Sequence, residues 1–538
     1  MITLWARDRL NGKRLSRKTH EYLERLGQEP LIAAQSATTA LLRKLAAEAG
    51  PHVQLGETPL GERVNVPLLE LVKACGLTTG GMGSGKTMFA MLPIAEIVRQ
   101  LPGLRSMSFG VLDAKGELFE RALYLLGERL SQLKGREQEE LRERIVVIDF
   151  SSREAVSSYN ILARWPYTDP DFFVTSRSET LRELLPAGEK LSLRGGAVLK
   201  NVLVLLAEFG LPVTYLDSVI GDDPFRLRLL SRSKNPAVRL YFQKHYVMEG
   251  KQTIAALRAR MESLVGSESV RLALSGSVAP DFKQLQSEGK IVLVNCAGPT
   301  IARGVRLLLQ GLVLSDIRQS IFARPNNPPV TYLWCADEAQ NFFLTKQQQE
   351  DMADVLTMAR SFGSFFYFLC QNLSTAIPDA RILEQLHTNI RWSLTLRGSP
   401  RDAQFLRSAL PVAGRLEKPD SQPFREKSLY SLEEERSLLL DGVAHLPDRT
   451  GYLWLKARSP QAIRLQTAKA PLPEGEKFRE AVESLRRNAG IGCRTSRADY
   501  MSAIAARDRE WFGTAEEAIP IERRWEEQYR LQEAACRS

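Results

Sequence analysis

Residues 80–87 read Gly-Gly-Met-Gly-Ser-Gly-Lys-Thr, a complete G-x-x-x-x-G-K-[ST] phosphate-binding pattern. The residue types are those the chemistry needs. Gly80, Gly81, Gly83, Ser84 and Gly85 offer backbone N–H groups that can curl around phosphate oxygens, and a helix N-terminus behind them adds a favourable dipole. In this setting Lys86 neutralises phosphate charge and Thr87 ligates Mg²⁺. A second element turns binding into hydrolysis. The apolar run Thr331–Ala336 ends at Asp337-Glu338, where Asp337 is placed to anchor Mg²⁺ and Glu338 to act as general base on the attacking water. Two adjacent carboxylates at a buried strand end are expensive to desolvate without a cation, so the pair points to a metal-nucleotide site. ATP and Mg²⁺ are the expected cofactors, and ATP hydrolysis the expected reaction.

These groups need a sheet to hold them. An apolar run from Leu71 to Leu77 precedes the glycine-rich loop, and an amphipathic stretch from Lys86 to Leu101 follows it, giving strand, loop and helix. Strand-like runs then alternate with helical patterns, the signature of a mostly parallel α/β sheet. The strands are expected at 107–112, 144–150, 291–296, 332–336, 365–370 and 392–396, with a closing hairpin from 451–455 and 462–465. Between them come a charged helix over 117–142, a helix over 302–322 and another over 352–362. From about 164 to 283 the pattern is helical only, which reads as an all-α domain inserted into the sheet. The expected organisation is a helical N-terminal region (1–65), a P-loop ATPase core in two parts (66–163 and 284–470), the insertion (164–283) and a charged helical tail (471–538).

Composition sets the outer limits. The chain has 538 residues, too many for one core, and two or three domains are expected. Its formal charge of +10 suggests a polyanionic partner, and cations gather at Arg7, Arg9, Lys13, Arg14, Arg17 and Lys18. Six cysteines show no metal-ligand spacing. Cys75, Cys296, Cys335 and Cys370 lie at or near ends of expected strands, while Cys493 and Cys536 lie in the polar tail, a usage that suits a reducing cytoplasm. No uncharged apolar run reaches the roughly 18 residues a membrane-crossing helix requires, and the opening residues do not read as a signal peptide.

The motifs fall in a telling order: the phosphate loop, Asp113-Ala-Lys-Gly-Glu117, Ser158-Tyr-Asn160-Ile-Leu162, Asp337-Glu338-Ala-Gln, Ala359-Arg360-Ser-Phe-Gly363 and Gln371. Over residues 66–470 this resembles the type IV coupling proteins, hexameric ATPases that bring DNA to conjugation and type IV secretion channels and are related to the FtsK and HerA DNA translocases. The resemblance implies a RecA-like core and a hexameric ring with ATP at the subunit interfaces. It also implies DNA, secretion or conjugation components and a relaxase-type nucleoprotein as partners. Gln371 falls where the family has a glutamine that senses the γ-phosphate. Arg360 matches a position that contacts nucleotide or a neighbouring subunit, and Arg397 is a weaker candidate for an arginine finger supplied in trans. Asp113 and Lys115 are expected beside the phosphate loop at the carboxyl edge of the sheet, in contact with nucleotide or with the next subunit.

One departure stands out. Many coupling proteins begin with membrane-spanning helices, whereas the segment 31–47 is interrupted by Ser36, Thr38 and Thr39 and is too polar to span. The expected location is cytoplasmic, peripheral at the inner membrane through partners. The segment 415–427 is expected to be a surface connection or a channel loop. Two other functions stay open beside DNA movement: a receptor that recruits protein substrates to a secretion machine, and a duplex-DNA pump in repair or defence.

Overall fold

The computed structural model describes residues 38–165, 167, 169–184, 191–343, 346–371, 373–377, 379–412, 429–473, 475–492 and 494–512. The basic N-terminal cluster, the segment 415–427, Cys493, Cys536 and Trp525 lie outside the described residues. The strands in chain order are β1 (His52–Glu57), β2 (Arg63–Pro67), β3 (Gly76–Thr79), β4 (Met107–Asp113), β5 (Ile145–Asp149), β6 (Ala155–Val156), β7 (Ile291–Asn295), β8 (Thr331–Ala336), β9 (Ser364–Cys370), β10 (Trp392–Leu396), β11 (Thr450–Leu455), β12 (Ile463–Thr467) and β13 (Thr495–Ser496). The chain divides into two compact units. One comprises the described residues through Arg144, Gln286–Ile291 and Arg324–Val482; the other comprises Ile145–Leu285, Val292–Ala323 and the described residues from Glu483.

In the first unit, nine strands lie in the order β2-β1-β12-β11-β10-β3-β9-β8-β4. The five from β10 to β4 run parallel, with Leu394 beside Thr78, Thr78 beside Leu369, Cys335 beside Tyr367 and Val111 beside Cys335. Every residue of these five strands is buried, and β8 and β9 accordingly read as nearly unbroken apolar runs. Parallel direction has one consequence for chemistry. The residues that follow β3, β9, β8 and β10, and the last residue of β4, all emerge at one carboxyl edge, where sites form in α/β sheets. On the other side of β10 the pairing turns antiparallel, from β11 through β12 and β1 to β2. The α/β class and the β11–β12 hairpin are as expected.

Three local expectations differ from what the chain does. Leu68–Val72 is a short helix, because Leu68, Leu71 and Val72 bury together at helical spacing, and the strand before the phosphate loop is only Gly76–Thr79. The charged helix over 117–142 is two, Glu117–Gln132 and Gly135–Arg144, parted where Gly135 takes φ +55°. The N-terminal region is not wholly helical. Val53 and Leu55 of β1 bury alongside Val64 and Val66 of β2, an alternating pattern only a few residues long on each strand.

In the second unit β5 lies beside β7, and the described residues within 164–283 hold helices and no strand. Side-chain caps set several starts: the Ser192 hydroxyl accepts from Gly195 N–H at 3.1 Å, and the Asp222 carboxylate accepts from Phe225 N–H at 3.1 Å. The Ser158-Tyr-Asn160 motif secures this unit. Ser158 donates to the Val278 carbonyl at 2.6 Å, Tyr159 donates to Asp316, and Asn160 accepts from Leu162 N–H at 2.9 Å. The helix Arg497–Phe512 docks by its end: Trp511 packs edge-on to Phe209 with ring centres 5.3 Å apart, and Phe512 stacks on Phe225 at 4.5 Å. Among the described residues no helix is long and apolar enough to cross a membrane.

Candidate nucleotide-binding site

The phosphate loop leaves β3 at Gly80 and ends at Gly85, the residue before the helix Lys86–Gln100. Its shape depends on glycine at two places. Gly85 sits at φ +103°, and a Cβ there would lie 2.8 Å from Cγ of Arg449. A Cβ on Gly80 would lie 2.6 Å from the Ser84 hydroxyl. Gly85 also has no side chain with which to cap the helix, so the first amides face outward from a positive dipole end. The loop is tied to its surroundings by backbone. Gly80 N–H donates to the Cys370 carbonyl at 3.2 Å, Gly81 N–H to the Arg397 carbonyl at 2.7 Å, and Arg449 N–H to the Ser84 carbonyl at 2.9 Å. Ser84 is buried and donates to the Gly81 carbonyl at 2.8 Å. Lys86 is buried too. Its ammonium donates to the carbonyls of Gly80 and Gly81, both at 2.8 Å, and so curls back over the loop. Burial, and then the neighbouring Lys115, push its pKa down, while Asp337, Glu338 and Cys370 pull it up. Thr87 is half-buried in the first helical turn, and Gly83 takes φ +73° at the loop's turn.

Three carboxylates stand on the adjoining strand ends. Asp113 closes β4 fully buried, and its oxygens accept Lys115 N–H at 2.7 Å and Phe119 N–H at 2.8 Å. These bonds give it the task of shaping the turn into the helix Glu117–Gln132, a task different from the nucleotide contact expected of it. Burial raises its pKa against those same backbone bonds. Asp337 follows β8, buried, and its pKa is pushed up to about 7 by burial first and then by Asp113 and Glu338. Glu338 takes φ +51°, and its carboxylate receives Lys115, the Gln371 amide at 2.6 Å and the Gln340 amide. Gln371, Glu338, Asp337 and Lys86 thus lie together at the carboxyl edge of the sheet.

The arginines are not. Arg360 precedes β9, at the end opposite Gln371, and seven residues of strand put it roughly 20 Å from the site. It is exposed, and a catalytic contact within its own subunit is ruled out by that placement. Arg397 does border the loop, yet its guanidinium pairs with Asp448 at 2.7 Å. Sequence reasoning missed Arg449, which nothing in its surroundings along the chain announces, left Gln340 without a role, and placed Lys115 beside the phosphate loop without its contact to Glu338.

The donor set fits a magnesium nucleotide. Among the described residues no three His, Cys, Asp or Glu side chains form a metal cage. Mg²⁺ does not need one, since it is held by one or two carboxylates with substrate phosphates and water completing its shell. No family model matches the chain, and no curated protein matches it. Solved structures do show likeness. The bacterial conjugative coupling protein TrwBdeltaN70 shares 15% identity over 80% of this chain and 92% of that one, with a TM-score of 0.48. The plasmid coupling protein TrwB in complex with ADP and Mg²⁺ shares 15% over 81% and 95%, at 0.46. VirB4 of Thermoanaerobacter pseudethanolicus shares 14% over 79% and 98%, at 0.45. The first two are coupling proteins, the family the motifs resemble. At these identities and TM-scores the likeness carries no functional weight; the residues of the site carry it.

Proposed function

We propose that the first unit binds ATP with Mg²⁺ and hydrolyses it, and that turnover drives DNA toward a conjugation or type IV secretion channel. The observation that carries the hydrolysis reading is the convergence of Lys86, Asp337, Glu338 and Gln371 on one carboxyl edge beside uncapped helix amides. The loop amides and Lys86 hold the phosphates, and Thr87 and Asp337 are the residues that would hold the metal. When bound, Mg²⁺ supplies charge neutralisation at the phosphoryl oxygens. Glu338 accepts the proton of the attacking water, and Gln371, hydrogen-bonded to it, relates the state of the phosphates to β9. Arg360 acts, on this reading, only from a neighbouring subunit of a ring, whose hexameric form, relaxase-type cargo and cytoplasmic location beside the inner membrane come with the family resemblance. The net charge of +10 supports a polyanionic cargo. Its grip is electrostatic and weakens steeply with salt.

The test is ATP turnover by the purified chain with and without single- and double-stranded DNA, beside Lys86→Ala and Glu338→Gln. Stimulation by DNA that disappears in both variants is the expected result. Turnover lost in both variants yet indifferent to DNA favours a second reading, a receptor for protein substrates. That reading draws on the helical segment around residue 247, where Val247 and Met248 are 74% and 81% exposed.

A further inference from the structure

Glu338 is the group that hydrolysis needs at liberty, yet its carboxylate is held by three side-chain donors. Its φ of +51° is one a non-glycine side chain adopts only when its surroundings hold it there. Three donors occupy its oxygens. Gln371 and Gln340 are neutral amides, one on each oxygen. The third donor, on Oε1, is the ammonium of Lys115, the only charged partner among the described residues. Lys115 is aimed from below: Asp113 accepts its backbone N–H at 2.7 Å and that of Phe119 at 2.8 Å, fixing the turn from which the side chain reaches across to Glu338. The two lysines of the site differ in kind. Lys86 is buried and bonded to two loop carbonyls, whereas Lys115 is exposed along a flexible four-carbon stem whose rotamers exchange rapidly.

We propose that Lys115 is a positioning residue that restrains the general base: its ammonium holds Glu338 away from water until a bound triphosphate competes for it. The inference rests on the hydrolysis reading. A triphosphate presents several negative charges where Glu338 presents one, so Coulomb attraction draws the ammonium away in a fraction of the ATP-bound molecules. In the rest the carboxylate stays turned to Lys115 and away from the attacking water. Turnover without DNA is held down by the same contact that Asp113 positions.

Two measurements on the full chain test this. The first is steady-state ATP turnover without DNA for the wild type, Lys115→Ala, Lys115→Arg and Glu338→Gln. Lys115→Ala is expected to raise kcat severalfold with KM within about twofold, and Lys115→Arg, which keeps the charge, to restore the restraint. The second is thermal unfolding of nucleotide-free protein for Lys115→Ala, Glu338→Gln and the double variant, in which the Tm shifts of the single changes are expected not to add. A kcat at or below that of wild type in Lys115→Ala, or additive Tm shifts, overturns the restraint while leaving hydrolysis standing if Glu338→Gln is inactive. Wild-type turnover that Glu338→Gln leaves untouched removes Glu338 as the general base and overturns the restraint with it, whereas no turnover by the folded wild type overturns the hydrolysis reading itself.

Discussion

Each unit of the molecule buries charge, and the two do so differently. In the second unit Arg177 and Asp316 are both buried and paired with one another. Tyr159 donates to the same Asp316, and Arg177 also donates to the Leu312 carbonyl at 3.2 Å and lies 4.9 Å over the Phe173 ring. One cation meets one anion, so the charges of the cluster balance, although the buried Nε of Arg177 has no hydrogen-bond partner among the described residues. In the first unit Lys86 and Lys115 face three carboxylates, Asp113, Asp337 and Glu338. That cluster has more anions than cations, and one of its acids is kept near neutral pH by burial. A closed pair stabilises a fold without needing a ligand. An open cluster lowers stability and is kept because something else completes it.

The comparison breaks most visibly at Glu338 and Lys86. Replacing Glu338 by Gln, or Lys86 by Ala, is expected to cut ATP turnover by about 10²–10⁴-fold, a functional loss out of proportion to the modest shift in the thermal midpoint of nucleotide-free protein. Removing one partner of the closed pair does the reverse. Arg177→Ala is expected to lower unfolding free energy by about 3–5 kcal/mol in a urea titration, since it strands a buried carboxylate. Asp337 sharpens the contrast through pH. Its pKa rises on folding from the ordinary 3.8 to about 7, so the folded state holds the proton over that window where the unfolded state has lost it. Stability of protein free of nucleotide and metal therefore falls as pH rises through the window and stays low above it. Asp337→Asn is expected to flatten that fall, by a few kcal/mol, in thermal melts across the window with chelator present. Gly85→Ala meets a backbone at φ +103° and the Arg449 side chain, and is expected to cost about 1–3 kcal/mol and to weaken binding of a fluorescent ATP analogue. The smallest effect belongs to Asp448→Ala. It removes an exposed ion pair with Arg397 and is expected to change stability by less than about 1 kcal/mol, with turnover unaltered.

The site was legible in the sequence where type and spacing fix chemistry locally. The loop at 80–87 and the pair at 337–338 lie next to long buried strands or helices, so their context could be read with them. Gln371 needed the strand before it and the family resemblance together. What stayed hidden depends on distant partners. The Lys115–Glu338 contact joins residues far apart in the chain, and only the parallel order of β4 and β8 brings them close. Arg449 comes to the loop because β11 lies next to β10, and nothing near it along the chain says so. The β1–β2 hairpin was missed because strands of six and five residues, one with a bulge, give too little alternation to stand out against a polar neighbourhood. Arg360 shows the limit of a motif match, which offered contact with nucleotide or with a neighbouring subunit, and the direction of β9 leaves only the second.

The backbone ties of the phosphate loop have a mechanical meaning. Gly81 hangs from the residue just after β10, and Ser84 from the residue just before β11, two strands hydrogen-bonded to each other along their length. A displacement of the hairpin of β11 and β12 is therefore passed to the backbone of the loop at both of its ends rather than taken up by slack in between.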